Sequence, residues 1–326
     1  MRWVGRMFLY LCIAAIGGLC LIWAFGPREP VDLRPVFDPA SIGDDPSAYL
    51  AEREMQFDDI TPGVEKRIIW ADGPGARTAL SIVYVHGFSA TSQEIRPVPD
   101  ELARALGANL VYTRLTGHGR GSAAMAEATV ADWMRDMAEA LEIGRRVGER
   151  VVVLSTSTGG TLAALAAQDP EMSRDVAGMI FVSPNFAINS GAAPLLTLPA
   201  ARYWLRYLAG KERCFEPRSP EQERFWTTCY PVEALLPMAA VVKAAYGADF
   251  SAVTIPALFR FSDADKVIKG DAVRAVADRW GGPVTLQPVM MGDGDDPYNH
   301  VIAGDILSPS ATKDTVTDFV TWIKGL

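Results

Sequence analysis

The chain has few histidines, few cysteines and no excess of basic residues. Only three histidines and four cysteines occur among its 326 residues, and they form no cluster at the spacing of zinc ligands. The 31 lysines and arginines are outnumbered by 39 aspartates and glutamates and form no basic stripe. We therefore expect no metal site and no nucleic-acid partner. The sequence also lacks internal repeats and low-complexity tracts, and its length fits one large domain or one domain with an insertion.

Only two cysteines fall in the globular part of the chain. Cys12 and Cys20 lie in an apolar run near the N-terminus, whereas Cys214 and Cys229 lie far from it. A disulfide that closes a loop of about 15 residues contributes about 3 kcal/mol on the chain-entropy model. An oxidising compartment would permit such a bond. Two unpaired thiols are the alternative, and the spacing does not decide between them.

Residues 1–26 contain a long apolar run. Residues 7–25 carry no charge, and as a helix they would span about 28 Å, close to the thickness of the hydrocarbon core of a bilayer. A transmembrane anchor and a cleaved secretory signal both fit this pattern. The run is long for a signal core, and cleavage after Gly26 would place Pro27 next to the cut, which favours the anchor. We expect the remaining chain on the periplasmic or extracellular face, with secretion after signal cleavage as the alternative.

The remaining chain alternates between strand-like and helix-like segments. Residues 27–62 are rich in proline and aspartate, lack periodicity and are interpreted as a tether. The alternation predicts an α/β fold with a mainly parallel sheet flanked by helices, built from residues 63–183 and 257–326. The predicted strands are 67–70, 79–85, 109–115, 150–155, 178–183, 257–261 and 284–289. The predicted helices are 99–106, 130–147, 161–168, 270–280 and 310–324, and residues 129–132 form a possible capping box for the second of these.

Residues 184–256 interrupt this alternation. They contain no clear strand, but they include helical patterns at 198–208 and 232–245. A structureless loop of this length is implausible in a compact domain, so the segment is interpreted as an inserted helical cap. Its apolar side chains could line an acyl-chain pocket or only pack the cap onto the core. These side chains are Leu195, Leu196, Leu198, Trp204, Leu205, Tyr207, Leu208, Phe225 and Trp226.

The strongest chemical signal is the sequence Ser-Thr-Ser-Thr-Gly-Gly at residues 155–160. It follows a predicted strand and precedes a predicted helix, which is the context of a nucleophile elbow with Ser157 at its tip. Small residues must flank the nucleophile because the turn is tight. An ordinary glycine-rich turn between strand and helix is the alternative.

A second signal is the sequence His-Gly-Phe-Ser at residues 86–89, at the end of another predicted strand. An acyl-transfer site needs backbone N–H donors that point at the developing oxyanion. Thr158, the residue after the nucleophile, and Phe88 are the candidates for these donors. His86 is expected to shape the loop rather than to transfer protons.

An acid and a base complete the set. Asp263 and Asp265 follow a predicted strand, and Asp265 is preferred because it precedes a short apolar stretch; either could instead cap a helix. A serine hydroxyl needs a neighbouring base. His300 is the only histidine after these acids, whereas His118 lies in a glycine-rich turn that we expect to be structural.

Together these segments resemble the α/β-hydrolase superfamily over residues 67–326. The combination of His-Gly-Phe-Ser, Gly-His-Gly-Arg-Gly and Ser-x-Ser-x-Gly is similar to the monoacylglycerol lipase and lysophospholipase branch. The resemblance implies a triad of Ser157, Asp265 and His300, in the chain order that the superfamily uses, and an oxyanion hole at Phe88 and Thr158. Two features depart from the family pattern: Ser155 replaces a glycine, and a long acidic loop precedes the histidine.

The resemblance implies a serine hydrolase that cleaves carboxylic esters through an acyl-enzyme, without metal or organic cofactor. We expect a small-molecule ester or lipid substrate with a short or medium acyl chain, and a membrane contact through the N-terminal helix. An acyltransferase or a peptidase with the same triad remains an alternative, as does a membrane-anchored binding protein without turnover. The sequence leaves the oligomeric state open.

Overall fold

Nine strands occur in the computed structural model, which describes residues 2–34 and 36–326. Residue 1 of the expected membrane segment and residue 35 of the expected tether therefore lie outside the described residues. The strands are β1 (Arg67–Ile69), β2 (Thr78–Val85), β3 (Asn109–Tyr112), β4 (Gly148–Thr156), β5 (Val176–Val182), β6 (Glu212–Cys214), β7 (Cys229–Pro231), β8 (Ala257–Phe261) and β9 (Val284–Pro288).

Seven of these strands form one sheet in the order β1-β3-β2-β4-β5-β8-β9. Only β1 is antiparallel to its neighbour, which confirms the prediction of a mainly parallel sheet. The central strands are apolar along their length because a parallel sheet is covered on both faces. Side chains alternate between these faces: Val83 and Val85 of β2 contribute to one core, and Ile82 and Tyr84 contribute to the other.

The residues that the structure describes form eleven α-helices, several of which cover the two faces of the sheet. They are α1 (Arg2–Phe25), α2 (Pro46–Glu54), α3 (Val98–Leu106), α4 (Val130–Val147), α5 (Thr158–Ala166), α6 (Pro170–Ser173), α7 (Ala201–Ala209), α8 (Pro220–Phe225), α9 (Leu235–Gly247), α10 (Gly270–Ala277) and α11 (Thr312–Ile323). Side chains of α4, α5, α9 and α10 share one core, whereas α3 and α11 contribute to the other. The predicted capping box is present: the Thr129 hydroxyl accepts from the Asp132 N–H, and the Asp132 carboxylate accepts from the Thr129 N–H.

The segment inserted between β5 and β8 is largely helical, with α7, α8 and α9. It also contains a short antiparallel pair, β6 and β7, so the expectation of a segment without strands was wrong at this point. Each of these strands has only three residues, too few to show a period of two. Cys214 and Cys229 face each other across this pair and form a disulfide, which is one of the two alternatives that the spacing left open.

The N-terminal region consists of an exposed helix and a segment that packs on the core. Residues Trp3–Phe25 of α1 are long and apolar enough to cross a membrane, a property that a signal sequence shares. Part of the segment interpreted as a tether is ordered against the domain. Ile42 and Leu50 are buried in the core, and Glu54 at the end of α2 forms a buried ion pair with Arg114 at 2.8 Å.

Candidate active site

Ser157 lies in a tight turn between the carboxyl end of β4 and the start of α5. Its backbone has φ +50° and ψ −117°, a left-handed conformation that costs a residue with a side chain about 1–3 kcal/mol. The turn also brings the start of α5 against the end of β2. A Cβ atom at position 159 would lie 2.3 Å from the Val85 carbonyl oxygen and 2.6 Å from that of His86, so only glycine fits there.

Ser155, the first departure from the family pattern, is accommodated by a hydrogen bond. Its hydroxyl is buried and donates to the carbonyl oxygen of Ile180 on the neighbouring strand at 3.1 Å. A small polar side chain therefore fits where the family has glycine, because its one donor finds an acceptor in the sheet.

The structure brings the three predicted triad residues together in one chain of hydrogen bonds. His300 Nε2 lies 3.0 Å from the Ser157 hydroxyl oxygen, and His300 Nδ1 lies 2.8 Å from Asp265 Oδ2. The other carboxylate oxygen, Asp265 Oδ1, accepts from the N–H groups of Val267 and Ile268 at 2.7 and 2.9 Å. The carboxylate is thus held from the side opposite to the imidazole, and it orients the ring with Nε2 toward the serine.

The alternative acid, Asp263, lies outside this arrangement. Its side chain is exposed and forms an ion pair with Arg274 at 2.7 Å. The distances therefore favour Asp265 as the partner of the histidine.

The acidic loop before His300, the second departure from the family pattern, holds the histidine backbone. Asp296 Oδ2 accepts from the N–H groups of His300 and Val301, both at 3.0 Å. Burial by itself lowers the pKa of His300, but the carboxylates of Asp265, Glu94 and Asp296 outweigh it and raise the pKa above its ordinary value of 6.5. The surroundings thus stabilise the protonated form of the imidazole.

Two backbone N–H groups are available beside the serine. Thr158 is the first residue of α5, so its N–H has no acceptor within the helix. Across residues 2–34 and 36–326, the N–H groups of Thr158 and Phe88 donate to no protein acceptor. Both residues line the cavity above Ser157.

The other two histidines, His86 and His118, form hydrogen bonds with backbone groups. His86 Nε2 accepts from the Leu115 N–H at 3.1 Å, so the proton is on Nδ1, which donates to the Gly87 carbonyl oxygen at 2.9 Å. Burial lowers the pKa of His86 well below its usual range and the pKa of His118 to about 4. Both rings are therefore neutral near pH 7, as expected for residues that shape loops.

A cavity of about 310 Å³ opens above the serine, between the carboxyl edge of the sheet and the inserted segment. Its walls are mainly apolar and aromatic. Six side chains supply much of this surface: Phe88, Phe215, Trp226, Tyr230, Leu235 and Met238.

Of the nine apolar side chains expected to line an acyl-chain pocket, all of which the structure describes, Trp226 lines this cavity and the other eight do not. Leu205 is buried in a small cluster within the inserted segment, and Tyr207 and Leu208 are exposed to solvent. Phe215 and Tyr230 follow the two bridged cysteines and were not predicted. Their positions depend on the short strand pair, which left no periodic signal in the sequence.

Glu94 and Asp296 are two further acids at the site that were not predicted as site residues, although Asp296 lies in the acidic loop noted before His300. Both are buried and line the cavity. Each lies in a loop, where a carboxylate is most often a solvated turn residue. Glu94 follows the recognised His-Gly-Phe-Ser loop by a few residues, and that proximity was the only available signal.

The parallel sheet, the elbow and the hydrogen-bonded serine, histidine and aspartate define a hydrolase of the α/β-hydrolase class. The chain belongs to the Hydrolase_4 family, described as serine aminopeptidase, S33, which matches residues 76–287. Among curated proteins, the thermostable monoacylglycerol lipase of Bacillus sp. (strain H-257) is 27% identical over 192 residues, which cover 58% of this chain and 72% of that protein. The prediction of a carboxylic ester hydrolase of the serine esterase and lipase type is thereby confirmed.

Solved structures agree on the fold. A structure from work on the metagenome-derived lipolytic enzymes LipS and LipT aligns with a TM-score of 0.65 and 21% identity over 82% of this chain and 100% of that chain. A soluble variant of monoglyceride lipase from Saccharomyces cerevisiae aligns with a TM-score of 0.62 and 10% identity, over 80% of this chain and 91% of that one. At these identities the similarity shows the fold alone.

Proposed function

We propose that this protein hydrolyses carboxylic esters with an apolar acyl chain through an acyl-enzyme on Ser157. The observation that carries the proposal is the continuous hydrogen-bonded chain from Ser157 through His300 to Asp265, with Ser157 and His300 in the lining of an apolar cavity. Only a positioned base makes a serine hydroxyl a useful nucleophile near neutral pH.

The reaction follows from the positions of these groups. Ser157 attacks the ester carbonyl while His300 Nε2 accepts the hydroxyl proton, and Asp265 fixes the tautomer of the ring and stabilises the imidazolium. The N–H groups of Phe88 and Thr158 donate to the oxyanion, and each such donor contributes about 3 kcal/mol. His300 then protonates the leaving alcohol, and a water molecule, deprotonated by the same ring, releases the acid.

The substrate class is proposed from the cavity and from the relatives. Its aromatic and aliphatic walls suit a hydrocarbon chain, and burial of each methylene group contributes about 0.8 kcal/mol. The curated relative is named for monoacylglycerol hydrolysis. We infer monoacylglycerols or lysophospholipids with short or medium acyl chains as the substrate class of this protein.

We further propose that α1 anchors the protein in a membrane, with the catalytic domain outside the cytoplasm. The chain that leaves α1 contacts the inserted segment: the Ala200 N–H donates to the Pro27 carbonyl oxygen at 2.6 Å, and Glu29 pairs with Arg202 at 2.6 Å. The cavity would therefore be held close to the lipid surface. The disulfide between Cys214 and Cys229 supports an oxidising compartment.

Hydrolysis of p-nitrophenyl esters from acetate to palmitate tests the substrate proposal. Full-length protein in detergent micelles is compared with Ser157→Ala, and we expect turnover that peaks at short or medium chains and is lost in the variant. Equal rates for the two proteins would contradict the proposal, and a palmitate optimum would contradict the proposed acyl length.

Peptide hydrolysis is a second candidate, because the family is described by an aminopeptidase activity. Three acidic side chains, Glu94, Glu216 and Asp296, line the cavity and could hold a substrate amine. Cleavage of aminoacyl anilides faster than of p-nitrophenyl esters, measured as kcat/KM, would favour this second function. Transfer of the acyl group to an added alcohol, seen as an ester product, would favour an acyltransferase.

A further inference from the structure

A second buried carboxyl group lies beside the nucleophile. Glu94 is 2% exposed, lines the cavity and is not a member of the Ser157, His300 and Asp265 triad. Its Oε2 accepts from the Gly87 N–H at 2.6 Å and from the Tyr84 hydroxyl at 3.3 Å. Burial of a carboxyl group is costly unless the group is hydrogen-bonded, and these two bonds supply that compensation.

The bond to Gly87 controls the loop that carries a proposed oxyanion donor. Glu94 holds the N–H of Gly87, and His86 Nδ1 holds its carbonyl oxygen at 2.9 Å. The Gly87 carbonyl and the Phe88 N–H belong to one planar peptide unit and point in opposite directions. The position of Gly87 therefore sets the direction of the Phe88 N–H.

Gly87 lies between the Glu94 carboxyl group and Ser157, and both groups are very close to its backbone. A Cβ atom at position 87 would lie 2.7 Å from Glu94 Oε1 and 2.9 Å from the Ser157 Cβ. The carboxyl group and the serine thus pack against the same backbone atom. A shift of about 1 Å in such a contact is enough to lower a catalytic rate about 100-fold.

The charge of Glu94 acts on the general base as well. Three carboxylates raise the pKa of His300: Asp265 most strongly, then Glu94 and Asp296. Burial raises the pKa of Glu94 itself to about 7, while the Gly87 N–H, the positive charge of His300 and the Tyr84 hydroxyl act in the opposite direction. The two groups therefore titrate as a coupled pair.

We propose that Glu94 is a positioning residue of this active site. Its carboxylate holds the His86–Gly87 peptide and thereby keeps the next peptide, which carries the Phe88 N–H, in register with Ser157. Its charge favours the imidazolium of His300. This inference rests on the proposed hydrolase function, because it concerns the same nucleophile and base.

Two substitutions separate the positional role from the electrostatic one. Glu94→Gln keeps an acceptor for the Gly87 N–H and removes the charge, whereas Glu94→Ala removes both. Glu149→Gln is the matched control, because Glu149 is exposed near the start of β4, at the opposite end of the strand from Ser157. All three changes are made in the full-length protein, and thermal unfolding is followed by circular dichroism.

The readout is kcat and KM for p-nitrophenyl butyrate between pH 5 and pH 9. For Glu94→Gln we expect kcat at pH 8 to stay within about five-fold of wild type. We also expect the acid limb of kcat/KM to shift by about one pH unit to lower pH, because removal of a nearby negative charge lowers the pKa of the base. For Glu94→Ala we expect a loss of about 100-fold in kcat with KM little changed, the loss typical of a displaced oxyanion donor. The control should match wild type in both quantities.

An acid limb in Glu94→Gln that coincides with that of wild type would overturn the electrostatic part. A kcat of Glu94→Ala within about three-fold of wild type would overturn the positional part. If Glu94→Ala does not fold, the positional role is tested with Glu94→Gln. The glutamine oxygen can still accept from the Gly87 N–H, so a loss of about 100-fold in the kcat of Glu94→Gln would contradict the positional role. Failure of wild type to turn over any ester is a different result, since it would remove the proposed function itself.

Discussion

Replacement of Asp265 by asparagine is expected to abolish most activity while the fold is retained. The Val267 and Ile268 N–H groups both donate to Asp265 Oδ1, so the asparagine oxygen will remain there and its NH₂ group will face His300. An NH₂ group cannot accept from Nδ1–H. The ring must then carry its proton on Nε2, which points at the Ser157 hydroxyl and can no longer accept a proton from it.

The magnitude follows from the loss of the base. A serine hydrolase locked in the wrong histidine tautomer loses about 10⁴ in kcat, which is about 5 kcal/mol of transition-state stabilisation. The assay is kcat for p-nitrophenyl butyrate at pH 8 in the full-length protein, with circular dichroism to establish that the variant folds.

Asp263→Asn is the matched control for this prediction. Asp263 is two residues away, is exposed and pairs only with Arg274, so its loss should change kcat by less than about two-fold and stability by less than about 1 kcal/mol. A large loss in Asp263→Asn together with a small one in Asp265→Asn would refute the assignment of the acid.

Three further predictions concern pH, the elbow and the disulfide. Since the base must be neutral and the pKa of His300 is raised, kcat/KM should fall as the pH drops through a value above 6.5, and a pH profile with an acid limb well below 6 would contradict this. Gly159→Ala should lower the melting temperature by many degrees or prevent folding, because its Cβ would overlap two backbone carbonyl oxygens, and an unchanged melting curve would be inconsistent with the close approach of α5 to β2. The double substitution of Cys214→Ser and Cys229→Ser should lower the free energy of unfolding, measured in urea, by about 3 kcal/mol relative to the oxidised protein. Wild type with its disulfide reduced is the control and should lose about the same amount.

The core fold was predictable because its signals are local. The strands of a parallel sheet are buried on both faces and appear as short apolar runs, and the elbow places its nucleophile between such a run and a helix. All seven strands of the main sheet were expected from the sequence, with ends that differ by a few residues. The predicted base followed from chain order, since only His300 comes after the two candidate acids, and Asp265 was preferred as the acid because it precedes a short apolar stretch.

Features that depend on distant contacts were not predictable. Residues 39–54 appear irregular in sequence, and the ion pair between Glu54 and Arg114, 60 positions apart, helps to hold α2 against the core. The cavity lining depends on a strand pair too short to recognise. Glu94 is an exception in that its contacts are near in sequence, with Gly87 and with Tyr84 at the end of β2, but a single acid in a loop carries no pattern that indicates burial.

Covalent labelling of the nucleophile tests the central proposal most directly. Full-length protein is treated with a fluorophosphonate, and the site of the adduct is located by mass spectrometry of its peptides. We predict a single adduct on Ser157 and none in a folded Ser157→Ala variant. Labelling of another residue at the same rate in both proteins, or no labelling of wild type while it hydrolyses esters, would contradict the account.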